Sequence, residues 1–122
     1  MKKPILIIED DYDIRNIISD VLTGEGYSVV QVNSGSEALT LIKKGFEPKL
    51  ILLDLHMPYM TGEEFLSNLE REHPELNAAV SVLVMTAMGS FTLPANCGPG
   101  SLLVKPVDIE VLLSKVARSY GP

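Results

Sequence analysis

No apolar stretch in this chain approaches the roughly 20 residues that a bilayer-spanning helix needs; its strongest runs are as short as Ile5-Leu6-Ile7-Ile8 and Leu50-Ile51-Leu52-Leu53. Cysteine is nearly absent. The single Cys97 excludes an internal disulfide, fits a reducing compartment and reads as a small loop residue. Basic residues are outnumbered, 10 against 16 acidic, for a formal charge of −6, and no Lys/Arg cluster interrupts that balance, so neither a nucleic-acid surface nor a membrane surface is expected. Repeats, low-complexity tracts and linkers are missing as well. Met1-Lys2-Lys3-Pro4 leads straight into a strand pattern, without the features of a signal peptide or anchor, and a cytoplasmic location is expected. What remains is 122 residues with 46% apolar composition, enough for one domain, residues 1–122, with one core that buries roughly two-thirds of the unfolded surface. No output domain is expected within it.

Strand and helix patterns alternate along the chain. Ile14, Ile17, Ile18, Val21 and Leu22 recur at helical spacing, so Asp11 to Thr23 reads as a helix with one apolar stripe, stopped by Gly24 and Gly26. A strand over Tyr27 to Val32 follows. Ser34-Gly35-Ser36-Glu37 is a capping-box pattern opening a helix that turns Ala38, Leu41 and Ile42 inward and ends at Gly45. Thr61-Gly62-Glu63-Glu64 repeats that pattern before Phe65, Leu66 and Leu69, in a helix closed near Glu72 by His73-Pro74. Asp108 caps a last helix with Ile109, Leu112, Leu113 and Val116 inward. The strand runs are apolar at nearly every position rather than at alternate ones, which predicts a parallel α/β sheet covered on both faces. Five strands fit. Between the last two, Met88 to Gly100 contains Gly89, Pro94, Gly98, Pro99 and Gly100. Each proline costs about 3 kcal/mol and each glycine about 1 kcal/mol inside a helix, so a short or missing helix is expected there.

Polar residues stand where four of these strands end. Glu9-Asp10 follows Ile5–Ile8, Asp54 closes Leu50–Leu53, Thr86 follows Val80–Met85, and Lys105 follows Leu102–Val104. The carboxyl edge of an open α/β sheet is where ligands bind. Carboxylates gathered there repel one another unless protons or a cation intervene. Oxygen-only ligands suit Mg²⁺ or Mn²⁺, with Mg²⁺ the physiological choice, and no Cys/His set suggests zinc. A cation beside these acids leaves one carboxylate free to attack phosphorus, and Asp54 is best placed for it. Lys105 supplies a point charge and Thr86 a hydroxyl for phosphoryl oxygens.

These residues resemble the receiver domain of bacterial two-component response regulators over essentially the whole chain. The matching segments are Ile5-Leu6-Ile7-Ile8-Glu9-Asp10-Asp11, Leu52-Leu53-Asp54-Leu55-His56-Met57-Pro58, Thr61-Gly62, Met85-Thr86-Ala87 and Val104-Lys105-Pro106. The resemblance implies a flavodoxin-like sheet in the order 2-1-3-4-5, with Asp54 as phosphoacceptor. It also implies Glu9 and Asp10 as metal residues, directly or through water, together with Asp54 and the backbone carbonyl of His56. By the same resemblance, Thr86 and Lys105 would sense and stabilise the acyl phosphate. It implies a cis peptide at Lys105-Pro106, a sensor histidine kinase or histidine phosphotransfer protein as donor, and a downstream effector or homodimer as readout. Two departures stand out. Leu102 replaces the family's usual aromatic, so the coupled Thr86-and-aromatic switch lacks its second member, and Thr86 and Lys105 are closer in sequence than is usual.

Simpler readings exist beside these. Asp54 alone is an ordinary turn or capping residue; Glu9-Asp10-Asp11 alone favours a helix N-terminus, and Asp10-Asp11 is an alternative metal pair. Asp13 and Asp20 read as solvated helix residues, and His73 as a helix-end residue. Met88 and His56 occupy variable family positions. Two rival functions are an aspartyl-phosphate phosphohydrolase, which usually has an acid where this chain has His56, and a receiver-like interaction module that no longer uses phosphate.

Overall fold

The computed structural model describes residues 3–87 and 101–121. The glycine- and proline-containing segment from Met88 to Gly100, with its expected short helix, Met88 and Cys97, lies outside the described residues. The elements run β1 (Ile5–Ile8), α1 (Tyr12–Gly24), β2 (Val29–Val32), α2 (Gly35–Lys43), β3 (Leu50–Asp54), α3 (Gly62–Glu72), α4 (Pro74–Ala79), β4 (Ser81–Ala87), β5 (Leu102–Lys105) and α5 (Ile109–Tyr120).

All strand pairs are parallel, in the order β2-β1-β3-β4-β5. β1 and β3 are adjacent, with Ile5 opposite Leu50 and Ile8 opposite Leu53, and every residue of both strands is buried. The uninterrupted apolar runs follow from that position, because side chains alternate between two covered faces. Ile5, Ile7, Leu50 and Leu52 pack with Ile18 and Leu22 of α1 and Leu112, Val116 and Tyr120 of α5. Leu6, Ile8, Ile51 and Leu53 pack on the other face with Ala38 and Ile42 of α2 and Phe65, Leu66 and Leu69 of α3. The expected single core is therefore two clusters separated by the sheet.

Helix ends follow the sequence signals closely. Asp11, Ser34, Thr61 and Asp108 are N-caps, each accepting a backbone N–H from the third residue on. Thr61 and Glu64 form the reciprocal capping box. At α2 only half of that box forms, since Glu37 Oε1 accepts from Asn33 N–H and not from Ser34.

Several expected boundaries and faces shift for local reasons. Gly26 takes φ +93°, and the N–H groups of Gly26 and Tyr27 donate back to Thr23 and Leu22 carbonyls. This is a Schellman ending. Tyr27 thus belongs to the cap of α1, and β2 begins only at Val29. The same ending at Gly45 and Phe46 closes α2. Ile17 is 56% exposed rather than inward, because it lies about 100° around the helix from buried Ile18. Ile109, in the first turn of α5, is 39% exposed and borders a shallow apolar groove with Ile14, Ile17, Pro106 and Val107, beside Lys105. The third helix ends at Glu72 with His73 as its C-cap, as expected, and Pro74 then starts a further short helix, α4, since proline at a first helical position loses no required N–H bond. No described helix is long and apolar enough to cross a membrane.

Candidate functional site

The sheet order reverses between β1 and β3, and this switch point is where an open α/β sheet leaves a crevice at its carboxyl edge. Glu9 follows β1 and Asp54 ends β3 at that place. Thr86 lies on β4 and Lys105 ends β5, opposite Ala87. The backbone turns sharply after Asp54. Tyr59 takes φ +69° and Met60 N–H donates to the Pro58 carbonyl at 2.8 Å, a tight γ-type turn. Gly62 then lets α3 begin against the strand end: a Cβ there would stand 2.8 Å from Leu55 Cα and 3.0 Å from the Asp54 carbonyl oxygen.

Glu9, Asp54 and Thr86 are buried polar residues, whereas Asp10 and His56 reach solvent. Lys105 Nζ lies 2.9 Å from Glu9 Oε1 and 3.2 Å from Asp54 Oδ2. His56 N–H donates to Asp54 Oδ1 at 2.9 Å, so each oxygen of Asp54 has a defined partner. Glu9 Oε2 accepts from Asp11 N–H at 3.2 Å, and Arg15 Nη1 donates to the Glu9 carbonyl at 2.9 Å. Glu9, Asp10 and Asp54 each bring a ligand oxygen within 4.8 Å of the others. Asp11 stands apart from this cluster as the α1 cap. The structure therefore brings together the Glu9-Asp10 pair rather than Asp10-Asp11.

One ammonium does not balance this many acids. Burial, the hydrogen bond with Asp54 and the Asp54 charge push the Glu9 carboxyl up to about 7, against the opposing pull of Lys105 and Asp11 N–H. Burial would lower the Lys105 ammonium, but its hydrogen bond and charge pairing with Glu9, and then Asp54, outweigh it and the group rises above its usual value. A buried carboxyl held this far from easy ionisation, among oxygen donors only, fits a hard divalent cation.

The pattern across residues 5–117 matches the family model described as response regulator receiver domain. The chain belongs to the response regulator receiver family. This receiver is 32% identical to the sporulation initiation phosphotransferase F of Bacillus subtilis, covering all of this chain and 96% of that protein. It is 34% identical to the response regulator protein FleR of Pseudomonas aeruginosa over 97% of this chain, but spans only 24% of that longer protein. Its fold superposes on the chemotaxis response regulator CheY4 of Vibrio cholerae with a TM-score of 0.83 at 29% identity, covering 98% of this chain and 99% of the other. The receiver is thus a phosphorelay signalling domain, with the five-stranded order already described.

Against that family background, the other expected positions fall as follows. The Lys105-Pro106 peptide is cis. Leu102 pairs with Val84 and is partly buried against the α2 and α3 cluster. His56 holds a contact that its sequence context did not suggest: its Nε2 lies 2.8 Å from Thr86 Oγ1. The two residues are 30 positions apart, and no local pattern announces such a contact. Arg15 was missed too, because an arginine on a solvated helix face carries no sign that it will hold the Glu9 carbonyl.

Proposed function

We propose that Asp54 is the phosphoacceptor of this receiver and takes a phosphoryl group from a phosphohistidine on a partner kinase or phosphotransfer protein. The observation that carries this reading is the fixed carboxylate of Asp54, with Oδ1 held by His56 N–H and Oδ2 by Lys105. An Asp54 oxygen forms the new bond to phosphorus while the bond from phosphorus to the imidazole nitrogen breaks, and the leaving imidazole takes up a proton. Lys105 then faces the transferred oxygens with a positive charge, and the Thr86 hydroxyl supplies a neutral donor. Attack of water on phosphorus later releases inorganic phosphate and restores the Asp54 carboxylate. Magnesium, or manganese, held by Glu9, Asp10, Asp54 and the His56 carbonyl, would supply charge neutralisation for this transfer.

The proposed protein donor has to cover the rim to reach buried Asp54. The apolar groove of Ile14, Ile17, Pro106, Val107 and Ile109 adjoins Lys105, and its half-exposed isoleucines give that donor an apolar contact beside the site. Phosphorylation replaces the single charge of the Asp54 carboxylate by the roughly −1.5 to −2 of a phosphoryl group, and this acts through Thr86 and Lys105 on a surface that changes its effector or dimer partner. The direct test is intact mass after incubation with phosphoramidate and Mg²⁺. A Mg²⁺-dependent gain of one phosphoryl group, absent in Asp54→Asn, supports the reading. An unchanged mass in the folded protein, or an equal gain in Asp54→Asn, opposes it.

A further inference from the structure

The Thr86 side chain is fully buried, and among the described residues its hydroxyl has one short partner, His56 Nε2 at 2.8 Å. The Ala87 carbonyl, also within the described residues, lies 3.4 Å away, which is long for an O–H donor. A hydroxyl carries a single hydrogen and two lone pairs. If the imidazole donated, that hydrogen would be left with the distant Ala87 carbonyl; if the hydroxyl donates to Nε2, the buried group is satisfied by its short contact. The second arrangement is the better one for a buried donor.

We propose that His56 is a positioning residue for Thr86: in the unphosphorylated receiver its imidazole accepts the Thr86 hydrogen and holds the hydroxyl away from the phosphorylation position. This rests on the reading of Asp54 as phosphoacceptor. Phosphoryl oxygens only accept hydrogen bonds, so Thr86 has to give up His56 in order to donate to one. The exchange runs forward because a bond to a charged oxygen is stronger than one between neutral groups. His56 therefore subtracts a fixed amount from the stability of the phosphorylated arrangement.

One residue touches both participants. The His56 backbone N–H holds Asp54 Oδ1, and its ring holds Thr86. Replacing the ring leaves that backbone donor and the His56 carbonyl in place, and His56 is an exposed residue.

The test uses beryllofluoride with Mg²⁺, a non-hydrolysable stand-in for the phosphoryl group, and its affinity by fluorine NMR titration in a double-mutant cycle. His56→Phe is expected to bind roughly threefold to tenfold more tightly than the parent, the span of one neutral hydrogen bond. Thr86→Val should bind more weakly, and His56→Phe should have no effect in the Thr86→Val background. His56→Gln, whose carbonyl can accept the Thr86 hydrogen, should return affinity toward the parent. Weaker binding by His56→Phe, or the same effect in both backgrounds, overturns the proposal while leaving the phosphoacceptor reading intact. Failure of the parent itself to bind beryllofluoride overturns both.

Discussion

Replacing Glu9 by glutamine should stabilise the metal-free protein at alkaline pH, although it removes a fully buried group with two well-formed hydrogen bonds. The folded-state carboxyl is raised from 4.5 to about 7. Because the native state binds this proton more tightly than the unfolded chain does, the stability it confers is greatest below the unfolded value. That stability is lost as pH rises from about 4.5 to about 7, and the loss is complete above that. A difference of about 2.5 units at about 1.36 kcal/mol each is roughly 3 kcal/mol. Glutamine is never charged, but it can serve only some of the Lys105 and Asp11 contacts, and an imperfect buried amide gives back about 1 kcal/mol or more. A net gain of roughly 1–2 kcal/mol is expected at pH 8 in EDTA, or about 3–6 °C in Tm for a domain of this size. The chain has no tryptophan, so urea unfolding followed by far-UV circular dichroism is the suitable assay. At pH 5 the difference should vanish. Destabilisation by Glu9→Gln at pH 8 in EDTA, or an equal difference at both pH values, would refute this account of the acid cluster.

Other consequences can be checked independently. Millimolar Mg²⁺ should raise the Tm of the parent and have much less effect on Asp54→Asn, and its apparent affinity should fall as pH drops through about 7, where Glu9 takes up its proton. Calorimetric titration at pH 6 and pH 8 reads this, and equal affinities would contradict it. Gly62→Ala should destabilise the fold by about 1–3 kcal/mol, since the new methyl meets Leu55 and the Asp54 carbonyl; an unchanged urea midpoint would show that the loop yields. Ile17→Glu, on the exposed edge of α1, should slow phosphorylation by a protein phosphodonor at least severalfold and leave phosphoramidate labelling unchanged. Equal slowing with both donors would place the effect in the site instead of the groove.

Much of this fold could be read from local chemistry. The buried runs at Ile5–Ile8 and Leu50–Leu53 announced central parallel strands because both of their faces are covered. Asp11, Ser34, Thr61 and Asp108 marked the helix starts because a cap is made within one turn. Faces were harder to assign: Ile17 and Ile109 have the right spacing but lie at a helix edge and a helix end, where no sheet covers them. Tyr27 has strand character, yet the Gly26 cap draws it into the α1 terminus and its ring against Tyr120, 5.2 Å between centroids. At the site, strand ends showed which residues meet at the rim, and only the folded chain shows Asp11 turned to cap α1 while Glu9 faces Lys105. The His56 contact with Thr86 was not legible, because it joins the ends of two strands through a side chain in the loop after β3.

The central claim concerns one carboxylate, and chemical trapping addresses it at the level of the residue. Labelling with phosphoramidate and Mg²⁺, followed by borohydride reduction and peptide mass spectrometry, converts an acyl-phosphorylated aspartate to homoserine. Homoserine at position 54, and at neither position 10 nor position 11, is the predicted result. Homoserine at another aspartate, or none after a confirmed gain in mass, would contradict Asp54 as the phosphoacceptor.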